Sequence, residues 1–210
     1  MKYPKINTLW KRDKNNKFNI IEGDFSCPEF ETIKRWYVTE KIDGTNIRVC
    51  FNTIEKTIEF KGRTDKADIP KFLLETLNSK FNTEKLLEVF STGKEIVLYG
   101  EGYGDKIQSV GKKYRKDNSF ILFDAWVDGW WLERENVEDI ARKLKINVVP
   151  SLGIRTIPEI VSLVKGTFPS AISKQPLNAE GVVARSHPLM LFRDGTPIMW
   201  KLKSKDYFGR

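Results

Sequence analysis

The chain has 210 residues, 40% of them hydrophobic, and its 36 Lys and Arg against 28 Asp and Glu give a formal net charge of +8. This length predicts a single domain with one sizeable core, and the basic charge favours a polyanionic partner such as nucleic acid or nucleotide. Two cysteines and one histidine argue against a disulfide framework and a histidine-based zinc site. Neither a signal peptide nor a run of ~20 apolar residues is present, so we expect a soluble, cytoplasmic protein without membrane contact.

Runs rich in β-branched and aromatic residues predict strands throughout the chain. In chain order the runs are Trp36–Lys41, Asn46–Phe51, Thr57–Lys61, Glu95–Gly100, Phe120–Val127, Gly181–Arg185 and Pro197–Leu202. Strands dominate, and they do not alternate regularly with helices. This pattern predicts an α+β domain built on antiparallel sheets.

Helices are predicted in three places between the strands. The first lies near Pro70–Phe81. The second is Val137–Leu144, where apolar residues form one stripe behind a candidate cap at Asn136. The third is Ile157–Lys165, which a Thr156-x-x-Glu159 capping box opens.

The segment Gly102–Asn118 combines glycines with a cluster of basic residues, Lys112, Lys113, Arg115 and Lys116. Glycine and charge together predict a mobile basic loop on the surface. A solvated loop and a nucleic-acid contact are equally good interpretations of such a charge run.

A lysine is bracketed by carboxylates and closed by a glycine turn in the run Glu40-Lys41-Ile42-Asp43-Gly44-Thr45-Asn46. Gly44 permits a tight turn after the strand, so that Lys41 projects from a rigid strand end. A lysine attacks only when desolvation or nearby cations lower its pKa. Lys201 and Lys203 alternate on the last predicted strand and could supply that field. Taken alone, the short run is also typical of an ordinary surface turn.

Further short motifs follow Lys41 in a fixed order through most of the chain. They are Gly62-Arg63-Thr64, Tyr99-Gly100-Glu101-Gly102, Phe120-Ile121-Leu122-Phe123-Asp124, Glu180-Gly181-Val182-Val183 and Trp200-Lys201-Leu202-Lys203. The series resembles the nucleotidyltransferase motifs of covalent polynucleotide ligases and mRNA capping enzymes. The lysine run and the tail Lys201–Phe208 are similar to the RNA ligase 2 type, which carries asparagine at the position of Asn46 where DNA ligases usually carry arginine.

The resemblance implies an ATP-grasp-like nucleotidyltransferase domain, with two antiparallel β-sheets and flanking helices, that is an ATP-dependent RNA ligase or the adenylyltransferase domain of one. Lys41 would attack the α-phosphate of ATP and hold AMP as a phosphoramide. Glu180 would bind the divalent ion, Mg²⁺ or Mn²⁺. Lys201 and Lys203 would hold the α-phosphate and offset charge in the transition state.

The resemblance also implies contacts to the nucleoside. Arg63 and Glu101 would engage the ribose hydroxyls, and Phe120 would stack on the adenine. Glu40 would sit by the adenine edge, through its backbone or its side chain. On the strand of Phe120, we assign Phe123 to the core.

Asp43 and Asn46 would orient the phosphates or the water shell of the metal, and Asn46 favours RNA over DNA as the partner. A DNA ligase is the closest alternative; a GTP-using capping enzyme and a non-catalytic nucleic-acid binding module are further ones. We expect one catalytic domain over residues 1–210, without a C-terminal OB or helical domain, acting as a monomer in nucleic-acid repair.

Overall fold

The computed structural model describes residues 1–16 and 19–208, and the chain folds into two compact units. The first, here called the central unit, comprises Met1–Tyr3 and Asp43–Val149. The second, here called the lysine unit, comprises Pro4–Ile42 and Pro150–Arg210. That the two units act as one catalytic domain stays a prediction. In the described part of the chain, no helix is both long and apolar enough to cross a membrane.

Strands and helices follow one another along the chain without a repeating order. The strands are β1 (Asn7–Thr8), β2 (Trp10–Arg12), β3 (Ile20–Phe25), β4 (Trp36–Lys41), β5 (Thr45–Asn52), β6 (Thr57–Gly62), β7 (Glu95–Gly104), β8 (Asn118–Val127), β9 (Trp130–Trp131), β10 (Asn147–Val148), β11 (Ser151–Arg155), β12 (Gly181–Ser186) and β13 (Met199–Lys203). The helices are α1 (Glu29–Thr32), α2 (Lys71–Lys80), α3 (Thr83–Val89), α4 (Gly111–Tyr114), α5 (Arg134–Leu144), α6 (Ile157–Gly166) and α7 (Lys205–Phe208).

The lysine unit is built on a five-stranded sheet in the order β1-β13-β12-β4-β11, beside the two-stranded sheet β2-β3. The pairs among β13, β12, β4 and β11 are antiparallel, and β1 joins β13 in parallel. Side chains alternate across a strand, so one face of this sheet carries the core. That face bears Trp36, Val38, Val182, Ala184, Trp200 and Leu202, which cluster with Ile160 and Val164 of α6. The residues between them, including Lys41, Lys201 and Lys203, therefore lie on the opposite face.

The central unit is built on a second sheet in the order β10-β8-β7-β5-β6, with β9 paired to β8. All its pairs are antiparallel except β10 with β8. One face packs on the apolar sides of α2, α3 and α5 and forms the core of this unit. These antiparallel sheets with flanking helices confirm the predicted α+β class.

The ladder between β7 and β8 shifts register between Tyr99 and Gly100. Tyr99 pairs with Asp124 and Gly100 pairs with Leu122, so Phe123 is the extra residue of a β-bulge. Phe120 and Leu122 belong to the core cluster, whereas Asp124 pairs with Tyr99 on the other face. The bulge therefore interrupts the alternation that the sequence of this strand predicts.

The predicted strands are all present, with ends shifted by a few residues, and the capping box of α6 is formed as predicted. The predicted cap at Asn136 was wrong, because α5 begins at Arg134 behind Glu133. Helix α3 was not predicted, although its cap at Asn82 accepts the backbone N–H of Lys85.

The predicted loop at Gly102–Asn118 was also partly wrong. Strand β7 continues to Gly104, α4 lies in the middle, and the side chain of Tyr114 is buried.

Candidate active site

Strand register in the lysine unit brings Lys41 and Lys203 to the two sides of Gly181. Gly181 of β12 pairs with Lys41 of β4 and with Lys203 of β13. Its φ of 154° is one that L side chains rarely adopt, and a Cβ there would lie 2.2 Å from the carbonyl oxygen of Leu202. Glycine at this position leaves no side chain of β12 between Lys41 and Lys203, which lie on the strands to either side of it.

Glu180 bridges these two lysines. The Lys41 Nζ donates to Glu180 Oε2 at 2.7 Å, and the Lys203 Nζ donates to Glu180 Oε1. All three side chains are largely buried, between 15% and 21% exposed. Burial by itself would raise the pKa of Glu180, but the charges and hydrogen bonds of Lys41 and Lys203 outweigh it and hold that pKa below its ordinary value.

Lys201 lies on the same face of β13 as Lys203, two residues along the strand. Burial lowers the pKa of Lys201 below its ordinary value, and the charges of Lys203 and Lys41 lower it further. Three lysines thus surround one carboxylate on this face. The excess of positive charge fits a phosphate group.

The side chain of Glu40 lies on the other face of β4, against the core. It is 1% exposed, and its carboxylate accepts hydrogen bonds from Ser170 Oγ and from the backbone N–H of Ala171. Burial raises the pKa of Glu40 above its ordinary value. The prediction of a nucleotide contact through this side chain is corrected, because the carboxylate anchors the loop at Ser170. A contact through the backbone stays a prediction.

In the central unit, Asn46 of β5 and Glu101 of β7 are paired across neighbouring strands. The Asn46 Oδ1 is buried and has no hydrogen-bond partner in the described part of the chain. Buried polar atoms are nearly always satisfied, so this oxygen fits a donor supplied by a bound molecule. A Cβ at Gly44 would lie 2.3 Å from the carbonyl oxygen of Gly102 and 2.7 Å from Glu101 Cγ, so the glycine turn packs directly against Glu101.

The backbone of this turn is held at two points. The Asp43 N–H donates to the Tyr114 hydroxyl at 3.3 Å, and the Gly44 carbonyl accepts from Gln108 Nε2 at 2.9 Å. Neither Tyr114 nor Gln108 was singled out from the sequence, because both lie in the segment that was predicted to be a loop. A role for the Asp43 side chain stays a prediction.

Arg63 is exposed on the turn that follows β6. Arg48, 2% exposed, fixes this turn: its guanidinium donates to the Gly62 carbonyl at 2.8 Å and to Asp65 Oδ1 at 2.7 Å. Hydrogen bonds from Arg48 and then from Lys2 lower the pKa of Asp65 to about 2. Sequence reasoning missed Arg48, although an arginine inside the apolar run of β5 was a signal that could have found it.

Phe120 is fully buried and packs edge-on against Phe81 at 5.2 Å between ring centroids. Stacking on adenine needs an accessible ring face, so the prediction for Phe120 is corrected: it is a core residue. Phe123 is only half-buried and contacts Tyr3, which also contacts Tyr99. Because Tyr99 and Glu101 are two residues apart on β7, Phe123 shares the face of Glu101. Assigning Phe123 to the core was therefore wrong, because the bulge turns it to the other face.

Glu180 is the predicted metal ligand. Across residues 1–16 and 19–208, no group of three or more His, Cys, Asp or Glu is placed to hold a metal ion. Mg²⁺ is often bound by one or two carboxylates together with substrate phosphates and water. The single carboxylate of Glu180 among lysines fits an ion that arrives with a phosphate group.

Comparison with known proteins gives a family and a fold. A structure of the Naegleria gruberi RNA ligase, a mutant with ATP and Mn, matches with a TM-score of 0.68 at 19% identity, over 100% of this chain and 57% of that chain. The same ligase with pyrophosphate matches with a TM-score of 0.64 at 21% identity, over 98% of this chain and 63% of that one. This chain thus spans about three fifths of those ligase chains. No curated protein matches. The RNA ligase family model matches residues 34–201, and the chain therefore belongs to the RNA ligase family.

Proposed function

We propose that this chain carries the catalytic activity of an ATP-dependent RNA ligase, which joins a 5′-phosphate end to a 3′-hydroxyl end. The observation that carries the proposal is the bridge from Glu180 to both Lys41 and Lys203 on one sheet face, in a member of the RNA ligase family. The similarity to ligase structures that contain ATP, AMP and Mn supports the choice of reactants.

The proposed reaction has three transfers. The deprotonated Nζ of Lys41 attacks the α-phosphorus of ATP, so that an N–P bond forms, the bond to the bridging oxygen breaks and pyrophosphate leaves. An oxygen of the RNA 5′-phosphate then attacks the same phosphorus and releases Lys41. Finally the 3′-hydroxyl attacks the activated 5′-phosphorus, loses its proton and expels AMP. Covalent attachment to lysine divides one difficult synthesis into easier steps.

Lys41 must first lose a proton, because an ammonium group has no lone pair. In the structure the Lys41 Nζ lies 2.7 Å from Glu180 Oε2. Lys41 therefore has to leave Glu180 and approach the α-phosphate before it attacks. Lys203 and Lys201 are proposed to bind the oxygens of the α-phosphate, where their charges offset the charge that develops during transfer. Glu180 would hold a divalent ion in place of its lysine partners. Such an ion neutralises phosphate charge when bound.

In the central unit, Glu101 and Arg63 are proposed to bind the ribose hydroxyls, one as acceptor and one as donor. Phe123 takes the role of base contact that was predicted for Phe120, since its ring is half-buried on the face of Glu101. Glu40 is proposed to contribute through its backbone. Asp43 is proposed to orient the phosphates or the water shell of the ion.

RNA, favoured over DNA, is the proposed substrate. The Asn46 Oδ1 is buried and has no hydrogen-bond partner among the described residues, which supports this choice, because a ribose 2′-hydroxyl is a donor that DNA lacks. Sealing of matched nicked duplexes of RNA and DNA tests it, and exclusive sealing of all-DNA nicks would refute it.

A further proposal concerns the state and location of the protein. We propose that the protein acts as a monomer in the cytoplasm, in nucleic-acid repair. Its two cysteines are free thiols, as expected in a reducing compartment.

Retention of label from ATP tests the first transfer. The protein is incubated with Mg²⁺ and ATP labelled at the α-phosphate, then denatured and separated from free nucleotide. We expect label on the parent, none on Lys41→Ala, and full label on the control Lys34→Ala, which removes an exposed lysine from the same unit. If the parent retains no label, or Lys41→Ala retains as much, the proposed function fails.

A further inference from the structure

The segment between β7 and β8, residues 105–117 and here called the basic segment, is anchored from within. Ile107 and Tyr114 are 5% and 1% exposed, and Ile107 belongs to the core cluster of the central unit. A Cβ at Gly111 would lie 1.9 Å from the carbonyl oxygen of Gly104, so α4 is pressed against the end of β7. Apolar anchors and a close glycine contact fix the path of this backbone.

Most cations of the basic segment are exposed to solvent. Lys106, Lys112, Lys113 and Lys116 are exposed. Arg115 is held by Asp117, with guanidinium-to-carboxylate distances of 2.6 and 2.7 Å, and lies 5.7 Å from the centre of the Tyr103 ring. The basic segment contains five basic residues and two acidic ones, Asp105 and Asp117. Charges fixed in place by a rigid backbone suit a regularly spaced polyanion better than charges on a mobile loop.

The same segment holds the turn that follows Lys41 in the chain. Tyr114 accepts the Asp43 N–H through its hydroxyl, and Gln108 donates to the Gly44 carbonyl. Both residues lie within a few positions of the exposed lysines. A molecule that clamps the basic segment therefore also restrains the backbone two and three residues after the proposed nucleophile.

We propose that the basic segment receives the phosphate backbone of the RNA strand, and that Gln108 and Tyr114 transmit this binding to the Asp43–Gly44 turn. Lys106, Lys112, Lys113 and Lys116 are the phosphate contacts. The inference rests on the proposed ligase function and adds to it the surface that binds the strand and a link from that surface to the Asp43–Gly44 turn. Such contacts act through charge and counterion release, so they carry no base specificity.

Two double variants test the surface. Lys112→Ala with Lys116→Ala removes two cations from the basic segment, and Lys85→Ala with Lys94→Ala removes two exposed cations elsewhere in the central unit. The affinity for a 5′-phosphorylated oligoribonucleotide is measured by fluorescence anisotropy over a range of salt concentrations. We expect the slope of log K against log salt to flatten by about 1.4 in the first variant, or about 0.7 for each lost contact, and to stay at the parent value in the second. Equal slopes in both variants would overturn the proposal.

Tyr114→Phe tests the link, because it keeps the buried ring and removes the hydroxyl that accepts the Asp43 N–H. Hydrogen exchange of the peptide that contains Asp43 and Gly44 is followed with and without the oligoribonucleotide. We expect RNA to slow this exchange in the parent, and we expect faster exchange with a smaller RNA effect in Tyr114→Phe. Exchange that RNA leaves unchanged in the parent would overturn the link.

Labelling with ATP in the absence of RNA separates this inference from the proposed function. A parent protein that takes no label overturns the proposed function. A parent that takes label, but whose two double variants bind RNA with the same affinity and slope, overturns only the assignment of the basic segment.

Discussion

In the lysine unit the predicted catalytic residue Glu180 contacts Lys41 and Lys203 directly, whereas in the central unit the predicted nucleotide-binding residues are dispersed among an exposed turn, a strand and the hydrophobic core. The first group sits on β4, on β13 and at the residue preceding β12, in an uninterrupted antiparallel register. In the second group, Arg63 follows the end of β6, and Glu101 and Phe120 lie near the bulge between β7 and β8. Regular pairing makes spatial neighbours of residues far apart in sequence, and a single extra residue is enough to turn a side chain to the other face.

The sharpest test of this difference compares two phenylalanines of β8. Phe120→Ala should lower the free energy of unfolding by about 3–5 kcal/mol, because it empties a fully buried site. Phe123→Ala should reduce stability much less but weaken ATP binding by about 1–3 kcal/mol, the usual value of a base stacked on an aromatic ring. Urea unfolding and the ATP concentration needed for half-maximal labelling measure the two effects. The reverse pattern would restore Phe120 as the base contact.

Glu180→Gln breaks the bridge in the lysine unit. We expect the rate of AMP labelling to fall by about 10²–10³-fold, the typical loss when one preorganised electrostatic contact to a transition state is removed. Glu31→Gln makes the same chemical change at an exposed site of the same unit and should label at the parent rate. Labelling of Glu180→Gln within threefold of the parent would show that the bridge has no part in catalysis.

Asn46→Ala tests the role of the buried Asn46 Oδ1 in the central unit. Because Oδ1 has no partner in the described part of the chain, its removal should change the free energy of unfolding by less than about 1 kcal/mol. RNA sealing should fall by the equivalent of about 1–3 kcal/mol, which is the penalty for a lost partner at a buried site. Asn78→Ala, on an exposed position of α2, is the control. A large loss of stability without a loss of sealing would make Asn46 a structural residue.

Lys201→Met should have a modest effect on stability with a distinctive pH dependence. The pKa of Lys201 in the folded protein is below its ordinary value of 10.5. At pH values between this lowered pKa and 10.5, the unfolded chain therefore binds more protons than the folded protein. The parent therefore gains stability as pH rises through that interval. At pH 7 the variant should be more stable by about 0.5–2 kcal/mol, and this advantage should shrink as the pH approaches 10.5. Urea unfolding from pH 7 to pH 10 measures it, with Lys205→Met as the exposed control. A constant difference would contradict the account.

The fold class and the shared face of Lys201 and Lys203 could be predicted because they depend on local residue patterns. Lys201 and Lys203 are two residues apart on a strand, so alternation places them on one face whatever the strand packs against. The motif order then indicates that Lys41 and Glu180 belong beside them. The structure adds the register that makes Gly181 the partner of both lysines.

The rest of the site could not be predicted, because it depends on contacts that no local pattern encodes. The bulge at Phe123 follows from the pairing of β7 with β8 and not from the sequence of β8 by itself. The hydrogen bonds of Arg48 and Tyr114 reach partners that are far away in sequence. Long-range packing also fixes the path of the basic segment, whose glycine and lysine content predicts a mobile loop.

The central claim is that AMP forms a bond to one particular nitrogen, and peptide mapping tests it most directly. The protein is incubated with ATP and Mg²⁺, digested at neutral to alkaline pH and analysed by mass spectrometry for the site of modification. We predict AMP on Nζ of Lys41 alone, through a P–N bond that acid cleaves. AMP on any other residue, or an unmodified Lys41 after full exposure to ATP, would contradict the account.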